Sequence, residues 1–109
     1  MLIDQLADKW AILVMLALSN DPVRFNALKR EVDGITQKML GQTLRKLERN
    51  GLARRRALAT MPMTVEYSLS AMGRSLLPVI EDLRRWSMRH IDAVTEARDA
   101  FDRGTGVLP

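Results

Sequence analysis

Nine consecutive apolar residues, Trp10 to Leu18, follow Asp8 and Lys9 near the start of the chain. Asp is a good helix N-cap, because its carboxylate accepts an otherwise unpaired N–H of the first turn. The run is apolar nearly all round, which predicts a central buried helix. It is about half the ~20 residues that a membrane-spanning helix needs. Asn20-Asp21-Pro22 ends it. Residues 1–7 are expected to form a short preceding helix. Val23-Arg24-Phe25 reads as a short edge strand. A second helix is expected from Asn26 to Val32, with Ala27, Leu28 and Val32 inward, and Asp33-Gly34 stops it. A third runs from Gln37 to Arg49, with Thr36 as its cap. Its Leu40, Leu44 and Leu47 are spaced four and three apart, the period of a helix buried on one side. Asn50-Gly51-Leu52 matches a glycine-terminated helix end, with Leu52 folding back on Leu47.

After Leu52 the period becomes that of strands. Leu52 to Ala59 is one strand. Thr64 to Leu69 is another, with Val65, Tyr67 and Leu69 alternating, and Thr60-Met61-Pro62-Met63 is the tip between them. Ser70 can cap a long last helix from Ala71 to Phe101. Pro78 lies inside it and predicts a kink, or a start nearer Ser75. The predicted class is mainly α with a small β-hairpin wing (α+β). One domain is expected over residues 1–103, with a helix-turn-helix at 26–49, a wing at 52–69 and a final helix at 71–101. Residues 104–109 are expected to be a flexible tail.

Composition narrows the chemistry. The chain has 109 residues, 47% hydrophobic and 28% charged, ordinary values for a folded domain. It has no cysteine and one histidine. That excludes disulfides, thiolate chemistry and cysteine zinc sites, and leaves no multi-histidine metal site. No nucleophile–base pair and no glycine-rich phosphate loop stand out, so an enzyme, a cofactor and a metal are not expected. No basic stretch leads to a small-residue cleavage site, so no signal peptide is expected either. The net charge of +4 is unevenly placed. Residues 1–23 carry −2, residues 24–56 carry +7 and residues 57–109 carry −1. A basic block inside a folded domain is the footprint of a polyanion-binding surface.

That block coincides with the helix-turn-helix and the hairpin behind it, a winged helix-turn-helix. In such units the second helix enters the DNA major groove. Opposite its leucine stripe this helix carries Gln37, Lys38, Gly41, Gln42, Arg45 and Arg49. Gln can pair with adenine edges, and Arg or Lys with guanine or phosphate. No acid lies between Gln37 and Lys46. Arg54, Arg55 and Arg56 lie on the first wing strand, where alternation sends at least one to the opposite face. Arg54 and Arg56 are the expected phosphate contacts, and the third is expected to be structural. Arg24 and Thr36 complete the expected DNA-binding set. The partner is double-stranded DNA.

Asp8-Lys9-Trp10, Arg24-Phe25-Asn26-Ala27-Leu28, ITQKMLGQTLRKLERNGL (35–52) and VEYSLSAMGRSLLPV (65–79) together resemble the HxlR-type winged helix-turn-helix transcriptional regulators. The resemblance covers about residues 3–95. It implies a cytoplasmic homodimer on a pseudo-palindromic operator, with dimerisation helices at about residues 1–7 and 75–100. Leu2 and Leu6 would belong to that interface. Many members of the family carry a sensing cysteine shortly before the Lys-Trp element, which this chain lacks, so a thiol mechanism does not carry over. Thr64 stands where the family often has Arg, and Met61 and Met63 flank Pro62, so the wing tip is apolar.

The last helix supports the dimer on its own pattern. Leu76, Ile80 and Leu83 form one stripe. Trp86, Ile91, Val94 and Phe101 continue beyond any core that so small a domain offers. A helix of about 27 residues is ~40 Å long, and a second copy is the simplest cover for its far half. His90 reads as a surface or interface residue. Met15 and Met72 read as core filler. Two other functions fit the same residues. One is a sensor whose small-molecule effector sits at the dimer interface. The other is a winged-helix module that binds protein, which the +7 block opposes.

Overall fold

The computed structural model describes residues 8–104. The expected helix over residues 1–7, with Leu2 and Leu6, and the tail beyond Gly104 lie outside the described residues. The elements are α1 (Lys9–Ala17), β1 (Val23–Arg24), α2 (Phe25–Glu31), α3 (Gln37–Arg49), β2 (Ala53–Leu58), β3 (Thr64–Leu69) and α4 (Ala71–Gly104). The chain divides into two compact units, Met1–Leu77 and Pro78–Pro109. The fold is α-helical with a small three-stranded antiparallel sheet.

In the first unit the helix ends are fixed by side chains. Asp8 accepts the Trp10 N–H at 2.8 Å. Thr36 Oγ1 accepts the Met39 N–H at 3.1 Å. At the end of α3 the Gly51 N–H reaches Glu48 O and the Leu52 N–H reaches Leu47 O, at 3.0 and 2.9 Å. This pair of bonds needs a left-handed residue, and Gly51 supplies it with φ +75°. Ala11, Val14 and Met15 of α1, Leu18 at its C-cap and Leu28 of α2 are buried with Leu40, Leu44 and Leu47 of α3. Each buried leucine contributes about 1.5–3 kcal/mol. Val32, Ile35, Leu52 and Leu69 close this core.

α1 packs on α2 and α3, but it is not buried all round. Leu13 is 36% exposed, and Ile12 and Leu16 are half-buried. Among the described residues its main neighbours are α2 and α3, and its apolar composition does not by itself provide more. β1 pairs with β3, Val23 opposite Tyr67, so the hairpin becomes a sheet of order β1-β3-β2. Phe25 opens α2 and does not extend β1.

The wing is tied to the start of α4. The Ser70 hydroxyl donates to Gly51 O at 2.6 Å and accepts the Gly73 N–H at 3.0 Å. A Cβ on Gly73 would lie 2.1 Å from Leu52 O, so the close approach requires glycine. This cap starts the helix at Ala71, not near Ser75, and the helix runs through Pro78 as one element. Pro78 has no N–H for the carbonyl four residues back. Gly104 ends the helix and does not open the tail. Met72 is not core filler. It is 54% exposed, because the turn after Ser70 brings Gly73 and not Met72 inward.

The second unit is the remainder of α4. Ile80 is buried, but Val79, Leu83, Trp86, Met88, Ile91 and Phe101 are all at least half exposed. No described helix is long and apolar enough to cross a membrane.

Candidate nucleic-acid interface

At 100° per residue, Lys38, Gln42, Arg45 and Arg49 of α3 fall within an arc of about 60°. That arc is opposite the buried Leu40, Thr43, Leu44 and Leu47, and all four side chains are exposed. None of the four forms an ion pair among the described residues. The charges flanking them are neutralised. Lys46 pairs with Asp8 at 3.7 Å, and Glu48, the one acid of α3, faces Arg55 at 3.9 Å. The result is an unpaired cationic strip along the outer face. Gln37 is exposed but lies on the flank with Gly41 and Glu48. The Thr36 hydroxyl is occupied as a cap.

Register decides the roles of the three wing arginines. Ala53 pairs with Leu69, Arg54 with Ser68, Arg55 with Tyr67 and Arg56 with Glu66. Ala53 and Leu69 are buried, so Arg55 shares their face of the sheet. It emerges beside α3, where Gly41, Arg45, Arg55 and Tyr67 line one concave surface. Arg54 and Arg56 take the other face. Arg56 is held by Glu66 at 2.7 Å, and Glu66 is also the cross-strand neighbour of Arg24. Arg24 and Arg54 are exposed and carry no ion pair among the described residues. The structure thus gathers Lys38, Gln42, Arg45 and Arg49, adds Arg55, and leaves Arg54 and Arg56 on the far face of the hairpin.

Two residues of this surface escape a reading of the sequence. Arg30, on α2, shares a concave surface with Arg24, Met63 and Tyr67. Tyr67 lies at the junction of that surface with the one beside α3. Burial pushes its hydroxyl pKa up; Arg55 and Arg45 oppose the rise, and Glu48 adds to it. The signal that finds Arg55 is the loop length. The last pair is Leu58 with Thr64, so five residues form the tip. A four-residue tip would set Arg54 opposite Leu69 and exchange the two faces.

On α4, Val79, Leu83, Trp86, His90, Val94 and Phe101 follow one another at spacings of three, four and seven and form one stripe. Ile91 stands about 80–100° to its side. Trp86 and His90 stack with ring centroids 4.4 Å apart, and His90 Nδ1 lies 2.8 Å from Trp86 O. No group of three metal-ligating side chains occurs among the described residues.

A half-exposed hairpin set against a capped helix with a bare cationic face defines a winged helix-turn-helix protein. The chain belongs to the HxlR-like helix-turn-helix family of transcriptional regulators, whose model matches residues 5–95. It is 47% identical over 78 residues to the HTH-type transcriptional regulator YkvN of Bacillus subtilis, a match over 72% of this chain. It spans 66% of that relative's length, just under two thirds. The transcriptional regulator ytfH from Salmonella typhimurium superposes with a TM-score of 0.81 at 30% identity, over 90% of this chain and 88% of that one. The redox regulator HypR in its reduced form gives 0.81 at 32% identity, over 87% and 94%.

Proposed function

We propose that this chain acts as a homodimer on a pseudo-palindromic DNA operator, with α3 in the major groove and the wing of residues 52–69 along the backbone. The reading includes a cytoplasmic location. The observation that carries it is the unpaired strip Lys38, Gln42, Arg45 and Arg49, whose neighbouring charges are already neutralised. Lys38 and Gln42, with Gln37 beside them, lie on the first two turns, which enter the groove deepest and reach base edges. Arg45, Arg49 and Arg55 supply cations for phosphate, Arg24 and Arg54 add positive charge from the other face of the sheet, and the exposed Thr36 lies at the α3 N-terminus. Arg56 contributes less, since Glu66 already holds it.

The α4 stripe of Leu83, Trp86, Val94 and Phe101 supports the dimer, since a second copy would cover it symmetrically. Ile91 borders that interface. Two half-sites about 34–36 Å apart are then expected.

Selection of bound sequences from random duplexes tests the reading and yields the operator. On that operator Gln42→Ala should cost about 1–3 kcal/mol, with little loss on a scrambled duplex and an unchanged salt slope. Arg49→Ala should weaken both duplexes alike and lower the salt slope by about 0.9. Equal losses on both duplexes for Gln42→Ala would remove this face as the reading face.

A further inference from the structure

The two faces of the small sheet bear different chemistry. One carries Arg55 and Tyr67 beside α3. On the other, register places Arg24, Glu66 and Arg56 in one row across β1, β3 and β2, and Ser68 and Arg54 in the next. Neighbouring strands lie about 4.8 Å apart and alternate residues of a strand about 7 Å, so the three arginines are rooted within ~12 Å of one another. Only Arg56 has a partner on this face, the Glu66 carboxylate at 2.7 Å. Arg24 and Arg54 are exposed and form no ion pair among the described residues.

The outer face is also shaped. Pro22, Arg54, Arg56, Glu66 and Ser68 are among the residues that line a concavity of about 380 Å³ there. One wall of it is held in place. Arg74 donates to Ser19 O at 3.0 Å and to Asn20 O at 3.5 Å, which fixes the loop that leads into Pro22. Arg54 stands beside the half-buried Ser68, its cross-strand partner. A carboxylate seated there can accept two N–H groups of the guanidinium and the serine hydroxyl.

Two features favour protein carboxylates over the phosphates of a duplex. A duplex taken by the strip on α3 and by Arg55 meets the opposite side of the sheet. Glu66 also stands between Arg24 and Arg56. A fixed carboxylate in that place repels an unbroken line of phosphates. It can lie between two separate carboxylates, and acids three or four apart on a helix are about 5–6 Å apart, close to the spacing of Arg54 and Arg56.

We propose that this outer face, centred on Arg54 and Ser68, is a docking surface for an acidic helical segment of a partner protein, held while α3 is on DNA. Clusters of arginine recognise acidic segments in this way. Simultaneous binding rests on the DNA-binding reading above; the docking surface itself does not.

The test uses the full chain and two fluorescein-labelled helical peptides of equal length. One has Glu at spacings of three and four along one face, and the other has Gln in the same places. In anisotropy titrations the Glu peptide should bind at least about ten-fold more tightly than the Gln peptide, and Arg54→Glu should remove most of that advantage. Arg54→Gln, which deletes the charge without reversing it, should weaken the Glu peptide in the same direction, and Ser68→Ala should do so by a smaller factor. With the strip on α3 saturated by the operator that the wild type selects, the Glu peptide should stay bound within about three-fold of its affinity for the free protein, since exposed charges further apart than the ~8 Å Debye length are screened. A Glu peptide that binds no better than the Gln peptide would overturn the docking surface. Full release by operator, with both Arg54 variants binding the peptide as the wild type does, would place the peptide on α3 and overturn it too. Arg54 variants that lose operator as strongly as Arg49→Ala and keep the peptide would assign this face to the duplex. If the wild type selects no operator, the DNA-binding reading falls alone, and the peptide titrations still decide the docking surface.

Discussion

α3 and the far half of α4 are both amphipathic helices, and they meet opposite fates. The leucine stripe of α3 is covered within the chain; Leu40, Leu44 and Leu47 are at most 2% exposed. The stripe of α4 beyond Pro78 is at least half exposed at Val79, Leu83, Trp86 and Phe101. Their polar faces differ in the same sense. On α3 Lys38, Arg45 and Arg49 form no ion pair among the described residues. On the second turn of α4 beyond Pro78 two arginines are paired locally, Arg84 with Glu81 and Arg85 with Asp82, at spacings of three. Such exposed pairs support a helix by only a few tenths of a kcal/mol. Where the apolar side is satisfied, the polar side is free for a ligand. On α4 it is the apolar side that remains to be covered.

The strongest way to break this contrast is to charge the exposed stripe. Leu83→Glu should leave residues 8–77 folded and convert the protein to monomers in sedimentation. Separating two half-site readers removes their mutual effective concentration, so operator affinity should fall about 100-fold or more. A dimeric Leu83→Glu with full affinity would mean that the stripe is not the interface. Ile91→Glu, at the border, should do less.

The second test compares leucines directly. Leu44→Ala should destabilise the fold by about 2–5 kcal/mol in urea denaturation, independently of protein concentration. Leu83→Ala should cost little at low concentration, and its effect should grow where the wild type is dimeric. Equal, concentration-independent losses would show that both stripes are covered within one chain.

Much of the reading unit was legible in the sequence because its signals are local. Asp8, Thr36 and Gly51 act within a turn of their own position, as Ser70 does in capping α4, and α3 and β3 have the bounds that period and caps predict. Features set by distant neighbours were not legible. Which arginine of the triplet faces α3 depends on one residue of loop length. The need for glycine at position 73 comes from the carbonyl of Leu52, and the exposure of Met72 follows from the same turn. The open flank of α1 has the same origin, since composition states that a side chain is apolar but not that a neighbour exists to cover it. The contribution of Arg30 needed α2 and the wing side by side.

The smallest expected effect separates the two regions by titration. Burial raises the Tyr67 pKa above its ordinary 10.0. On α4 the Glu81 pKa is lowered by its hydrogen bond from Arg84. Tyr67 therefore reports the interior edge of the reading unit, and Glu81 reports local pairing on a solvated helix. The chain has one tyrosine, so its phenolate absorbance follows Tyr67 alone. Above the unfolded value near 10, the unfolded chain releases a proton that the folded chain retains. Stability from this group is thus complete below that pH and is lost as pH rises through the folded pKa. Tyr67→Phe should remove that alkaline loss. Adding operator DNA should raise the Tyr67 midpoint further, because phosphates near Arg45 and Arg55 disfavour a phenolate between them. A midpoint indifferent to DNA would put the duplex away from the wing root and confine its contacts to the outer arc of α3.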